Sequence, residues 1–151
     1  MRHLHLDLVG GLSGDMFIGA ILDAFPEMVG GLKGVIGSAG FPELVSLDAA
    51  THNDGTLTGT RFRVSVISEE NLHHRHYSEI KEKLESSRLP ENTRKLALAI
   101  FYAIAEVEAN IHGKTIESVA FHEVGAWDSI ADIVLAGGAF ANTKLSTNLN
   151  R

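Results

Sequence analysis

The stretch from Glu43 to Ile67 reads ELVSLDAATHNDGTLTGTRFRVSVI. Within it, Phe62, Val64 and Val66 alternate with Arg61, Arg63 and Ser65, the period of two expected of a half-buried strand. Glu43 to Ala50 is a second strand candidate, and Thr51-His52-Asn53-Asp54-Gly55 between the two runs is rich in turn formers. Two such runs around a tight turn predict an antiparallel hairpin with one solvated face.

Upstream, Leu4, Leu6 and Leu8 alternate with His3, His5 and Asp7, which suits a strand ending at Gly10-Gly11. Met16, Phe17, Ala20, Ile21 and Ala24 then follow at helical spacing, with Ser13 or Asp15 as cap and Pro26 closing the run. Residues 27–40 are dense in glycine, and backbone entropy argues against a helix there. Downstream, Ser78 caps a short helix to about Ser87. Pro90 opens a long helix in which Leu96, Ile100, Ala103, Ile104, Val107 and Ile111 form an apolar stripe that stops at Gly113. An extended piece over Ser118 to Phe121 precedes a last helix marked by Ile130, Ile133, Val134 and Ala136. The fold class is therefore α/β. A mixed sheet combines the N-terminal strand with the antiparallel hairpin, and helices from the second half pack on it. Residues 1–141 make one domain, and 142–151 lose all periodicity as an irregular or truncated tail.

The chain has 151 residues, 44% hydrophobic and 21% charged, enough to bury a core of its own. Its net charge of -6 leaves no basic footprint for nucleic acid. No apolar run is long enough to span a bilayer, and the alternating start is unlike a signal-peptide core, so a cytoplasmic protein is expected. With no cysteine, thiolate zinc sites, iron–sulfur clusters and cysteine nucleophiles are excluded. A metal held by this chain must meet imidazole, carboxylate, carbonyl or water, or a ligand's own donors.

Those donors concentrate in two places. His122, Glu123, Asp128 and Asp132 fall within residues 121–133, and Asp128 and Asp132, four apart, share a helix face and can approach a common ion. Acidic residues are also favoured in a first helical turn by capping alone. His122 suits a metal ligand or general base, and Glu123 a base or a partner that fixes another histidine's tautomer. The second cluster, His73-His74-Arg75-His76, offers imidazoles plus a carboxylate or phosphate clamp in Arg75; a histidine tract can equally be a solvated loop. Gly11, Ser13 and Gly14 lie between strand and helix, where free backbone N–H groups cradle an anion, although Asp7 and Asp15 oppose a bare phosphate. A tight turn with a capped helix explains the same residues. Met16, Phe17 and Trp127 read as core or pocket wall.

Three motifs in order, Asp7 with GLSGDM (residues 11–16), HHRHYSEI (73–80) and FHEVGAWDSIADI (121–133), make the chain resemble the N-terminal part of the nickel-insertion proteins, cyclometallases that build the nickel-pincer cofactor of lactate racemase. The resemblance covers nearly the whole chain to about Ala141. It implies a nickel chelatase, a lyase that inserts Ni²⁺ into pyridinium-3,5-bisthiocarboxylic acid mononucleotide, with CTP and Mn²⁺ or Mg²⁺ required. Soft sulfur donors would then come from the substrate. It implies a transient nickel site drawn from His73, His74, His76 and His122, and Glu123 or His122 as the base that removes the ring proton. Asp7, Asp15, Asp128 and Asp132 would hold metal or orient the histidines. Members of that family continue into a C-terminal domain, so the short chain is expected to be an incomplete product that needs such a domain, separately encoded, as partner. An unfinished edge or helix face would favour homo-oligomers. Two other readings compete: a non-enzymatic nickel-binding or delivery module, and a metal-dependent phosphohydrolase built on the carboxylates.

Overall fold

A computed structural model describes residues 5–6, 11–67 and 75–142. Helix α1 (Gly14–Ala24) is followed by a 3₁₀ turn at Pro26–Met28 and helix α2 (Val29–Ala39). Strands β1 (Val45–Asn53) and β2 (Thr58–Val66) then form the expected hairpin, in register from Val45↔Val66 to Asn53↔Thr58. The turn is held by side chains: Asn53 Oδ1 accepts from Gly55 N–H, and Asp54 Oδ1 from the N–H groups of Thr56 and Leu57. Strand β3 (Arg75–His76) leads directly into helix α3 (Tyr77–Glu85), followed by α4 (Glu91–His112), a 3₁₀ turn at Ile116–Ser118, β4 (Ala120–Phe121) and α5 (Trp127–Asn142).

The protein is mixed α/β but mostly helical. Among the described residues there is no single mixed sheet. The two antiparallel ladders, β1–β2 and β3–β4, are separate. Of the N-terminal strand candidate only His5 and Leu6 are described, and both are exposed without strand structure. The helix packed most closely on the hairpin is α1, from the first half, with α5 beside it. At the closest point, a Cβ on Gly19 would come within 2.9 Å of the Thr60 carbonyl.

Residues 29–39 are helical despite their glycines. Leu32, Val35, Ile36 and Ala39 recur at three- and four-residue spacing and are buried, whereas Gly30, Gly31, Gly34 and Gly37 face away from the core. Packing of one apolar face outweighs the intrinsic cost of glycine on the other. A Cβ at any of these four positions meets nothing within 4 Å. Alanine at Gly30 or Gly34 is therefore expected to stabilise the chain by about 0.5–1 kcal/mol each, read as a higher denaturation midpoint.

Helix α5 is the centre of the core. Ile130, Ala131, Val134, Leu135 and Ala139 are at most 1% exposed, and α4, α1 and α2 all pack on it. The seam with α4 is unusually close, since a Cβ on Gly137 would lie 3.0 Å from the Thr93 carbonyl and 3.3 Å from the Ala97 nitrogen. This corrects the apolar stripe expected on α4. The buried face is Thr93, Ala97, Phe101, Ala105 and Ala109, while Val107 and Ile111 are 56% and 70% exposed. Beside Gly137 the seam takes the small Thr93 and Ala97, Phe101 packs lower down against Phe121, and Val107 and Ile111 are rotated to the exposed side. Met16, expected in a wall, is also exposed.

Candidate functional site

The two polar motifs meet through the two-residue β3–β4 ladder. Arg75 pairs with Phe121 and His76 with Ala120, and the Tyr77 N–H continues the contact to the Val119 carbonyl at 2.9 Å. Beyond β4 the chain turns through residues 122–126, closed by Ala126 N–H to the Glu123 carbonyl at 3.1 Å, and enters α5 at Trp127. Arg75 spans this turn. Its Nη1 donates to the Gly125 carbonyl at 2.5 Å, and its guanidinium lies 3.9 Å from the centroid of the Trp127 ring. Burial lowers the Arg75 pKa, and the neighbouring Glu79 carboxylate opposes that shift.

Gly125 makes the approach possible. A Cβ there would stand 2.6 Å from the Phe121 carbonyl and 3.1 Å from the Arg75 nitrogen, both backbone atoms that cannot step aside. Gly125→Ala is expected to cost about 1–2 kcal/mol by overpacking and to part Arg75 from Trp127. Tryptophan emission that shifts toward the exposed value in this variant checks the second effect.

A carboxylate group lies where α1 meets α5. Asp15 opens α1, bonded to the Ser13 hydroxyl and accepting from Met16 N–H at 2.8 Å; Asp128 accepts from Ser129 N–H at 2.8 Å. Asp132 receives the Asp15 backbone N–H, and a Cβ on Gly14 would sit 2.6 Å from its own Cβ. Its Oδ1 is buried without a hydrogen-bond partner among the described residues. Desolvation first, then repulsion from Asp15 and Asp128, raise its pKa from 3.8 to about 6.

The other candidates are placed differently. His76 caps α3: its backbone N–H donates to Glu79 at 3.3 Å and its ring accepts from the Glu79 N–H, a reciprocal capping box. His122 and Glu123 are exposed on the turn, and His122 lines a crevice of about 50 Å³ with Glu108, His112 and Lys114 at the end of α4. Gly11, with φ 90°, and Ser13 are exposed ahead of α1. Asp7, His73 and His74 lie outside the described residues. Among the described residues no three His, Asp or Glu side chains converge as a metal site. Phe41, Glu79 and Lys83, which sequence reasoning did not select, line a cleft beside Trp127. The signal available was the Glu79–Lys83 spacing of four on α3, which sets both on one side of that helix.

Residues 4–148 match the family model described as nickel insertion protein. The chain is 37% identical over 162 residues to the pyridinium-3,5-bisthiocarboxylic acid mononucleotide nickel insertion protein of Geobacillus kaustophilus, covering 96% of this chain and 36% of that protein. Proteins named for nickel insertion from Geobacter sulfurreducens and Myxococcus xanthus are each 40% identical, over 92% and 87% of this chain and 35% and 34% of their own lengths. No solved structure matches. The chain thus spans about a third of the length of the curated relatives it matches. With its polar motifs joined at one ladder and its sequence matched almost from end to end, the chain belongs to the nickel insertion protein family.

Proposed function

We propose that this chain supplies the N-terminal part of a nickel chelatase that inserts Ni²⁺ into pyridinium-3,5-bisthiocarboxylic acid mononucleotide, the substrate in the name of the Geobacillus relative. The observation that carries the reading is the β3–β4 ladder, which holds Arg75 and His76 beside Phe121 and Ala120. His73 and His74 directly precede that ladder in sequence, so they and His122 are assigned as passing ligands for nickel on its way to the substrate's sulfurs. Forming the nickel–carbon bond breaks a ring C–H bond. The electron pair of that bond goes to nickel and the proton to a base, for which the solvent-facing His122 and Glu123 are the candidates. Asp15, Asp128 and Asp132 are assigned to shaping the approach between α1 and α5. Mn²⁺ or Mg²⁺ with CTP is assigned to the same reaction by the resemblance, and among the described residues no three His, Asp or Glu side chains form a site for such an ion.

The test joins this chain to the remaining two thirds of the Geobacillus protein and measures nickel insertion. Alanine at His122 and Glu123 together is expected to lower the rate by about 10²–10⁴-fold, the usual worth of a positioned base. A double variant that inserts nickel at the parent rate would sink the assignment.

A further inference from the structure

Helix α4 carries a second apolar face, which the fold leaves outside the core. Leu96, Ile100, Ala103, Ile104, Val107 and Ile111 fall within an arc of about 100° and along about 22 Å of the helix. Ala103 is exposed, Val107 and Ile111 are 56% and 70% exposed, and Leu96, Ile100 and Ile104 are partly buried. Scattered apolar residues on a surface need no explanation, but a continuous row along one helix does. We propose that this face binds the same face of a second copy of the chain, the two α4 helices running antiparallel about a two-fold axis between Ala103 and Ile104. The contact does not rest on the function proposed above.

Spacing names the occupant. Read backward, the row keeps the same intervals: Leu96 and Ile111, Ile100 and Val107, and Ala103 and Ile104 are three pairs, each centred on the same midpoint. An antiparallel pair therefore sets apolar against apolar along the whole row, the self-complementary contact that a two-fold axis demands. A partner of unrelated sequence requires no such symmetry. Charge sets the direction. Lys95 and Glu106, both exposed, lie on one flank of the row toward its opposite ends. Antiparallel packing brings the Lys95 end of one helix to the Glu106 end of the other, whereas parallel packing levels like charge with like. The helix dipoles favour the same choice. In this register Lys95 of the second copy stands level with His112, which lines the crevice that also holds Glu108 and His122. The contact thus abuts the exposed His122. A single helix pair buries less than the standard interface of about 1,600 Å², so the dimer is expected to dissociate at about 10–100 µM. Below that concentration the chain unfolds as a monomer.

Sedimentation equilibrium of the whole chain, from about 5 to about 500 µM, should show a mass that rises from 16.3 kDa toward twice that value. Val107→Glu, at an exposed position, should raise the dissociation constant by at least about tenfold and leave the monomer's circular dichroism unchanged. Leu57→Glu, 72% exposed beside the hairpin turn, should leave the dimer as it is. Orientation is read by cross-linking, which a chain without cysteine permits. Under oxidation Ala103→Cys should couple to itself, and Ile111→Cys should couple to Leu96→Cys and not to itself. The proposal is overturned by a chain that stays at 16.3 kDa throughout, which would leave the face to the remainder of a longer family member. It is overturned equally by a dimer that Val107→Glu leaves intact, by one that Leu57→Glu weakens as much, or by Ile111→Cys that couples to itself more readily than to Leu96→Cys.

Discussion

Replacing Phe101 with alanine is expected to cost about 3–5 kcal/mol, a large part of the stability of a domain this size. Phe101 is fully buried on α4, and its ring centroid lies 6.2 Å from that of Phe121 on β4, which in turn meets Tyr77 edge-on at 6.4 Å. The cavity left behind would open under the ladder that joins the two polar motifs. Urea denaturation measures the first effect. Val107→Ala and Ile111→Ala, on the exposed side of the same helix, should move the midpoint by no more than about 0.5 kcal/mol. A reversed ranking would mean that α4 is rotated about its axis.

Asp132→Asn is the second large effect and has the opposite sign. In the folded chain the Asp132 carboxyl titrates at about 6, against an ordinary 3.8, chiefly because burial desolvates the charged form and then because Asp15 and Asp128 repel it. The folded state therefore binds this proton more tightly than the unfolded chain. Its contribution to stability is greatest below about pH 4, where both states are protonated, and is lost as pH rises to about 6. Above that the folded protein carries a half-buried charge whose Oδ1 has no partner among the described residues, at a cost on the order of 1–2 kcal/mol once solvent screening is allowed for. Asparagine removes the charge and keeps an acceptor for the Asp15 N–H. The variant should be more stable by about that much at pH 7 and equal to the parent below about pH 4. Denaturation midpoints across pH 3.5–7.5 test it, and a gain that does not depend on pH would show that the charge is not its source.

Elements that depend on local pattern were legible in the sequence. The hairpin followed from the alternation at Phe62, Val64 and Val66 and from the side-chain acceptors Asn53 and Asp54 at the turn. Helix α2 was not, because its glycines speak for the backbone of one face while Leu32, Val35 and Ile36 decide the matter from the other. The buried face of α4 was hidden for a related reason. Hydrophobicity points to Val107 and Ile111, but the close seam with Gly137 selects for small size. The ladder that sets Arg75 and His76 beside Phe121 and Ala120 is too short to leave a pattern in the sequence. The cleft beside Trp127 was hidden as well, since Phe41, Lys83 and Trp127 come from separate segments and become neighbours only through tertiary packing.

The brevity of the β3–β4 ladder also bears on where this family can change length. Between its two strands lie the α3–α4 connection, at Ser86–Pro90, and the stretch after α4, at Gly113–Thr115, where an inserted residue leaves the pairing of Arg75 with Phe121 untouched. Residues 122–126 have no such slack. One residue gained or lost there would turn α5 by about 100° at its entry, carrying Asp128 and Asp132 away from Asp15 and Trp127 out from under Arg75. Length variation among relatives should therefore collect at the first two places and spare the third.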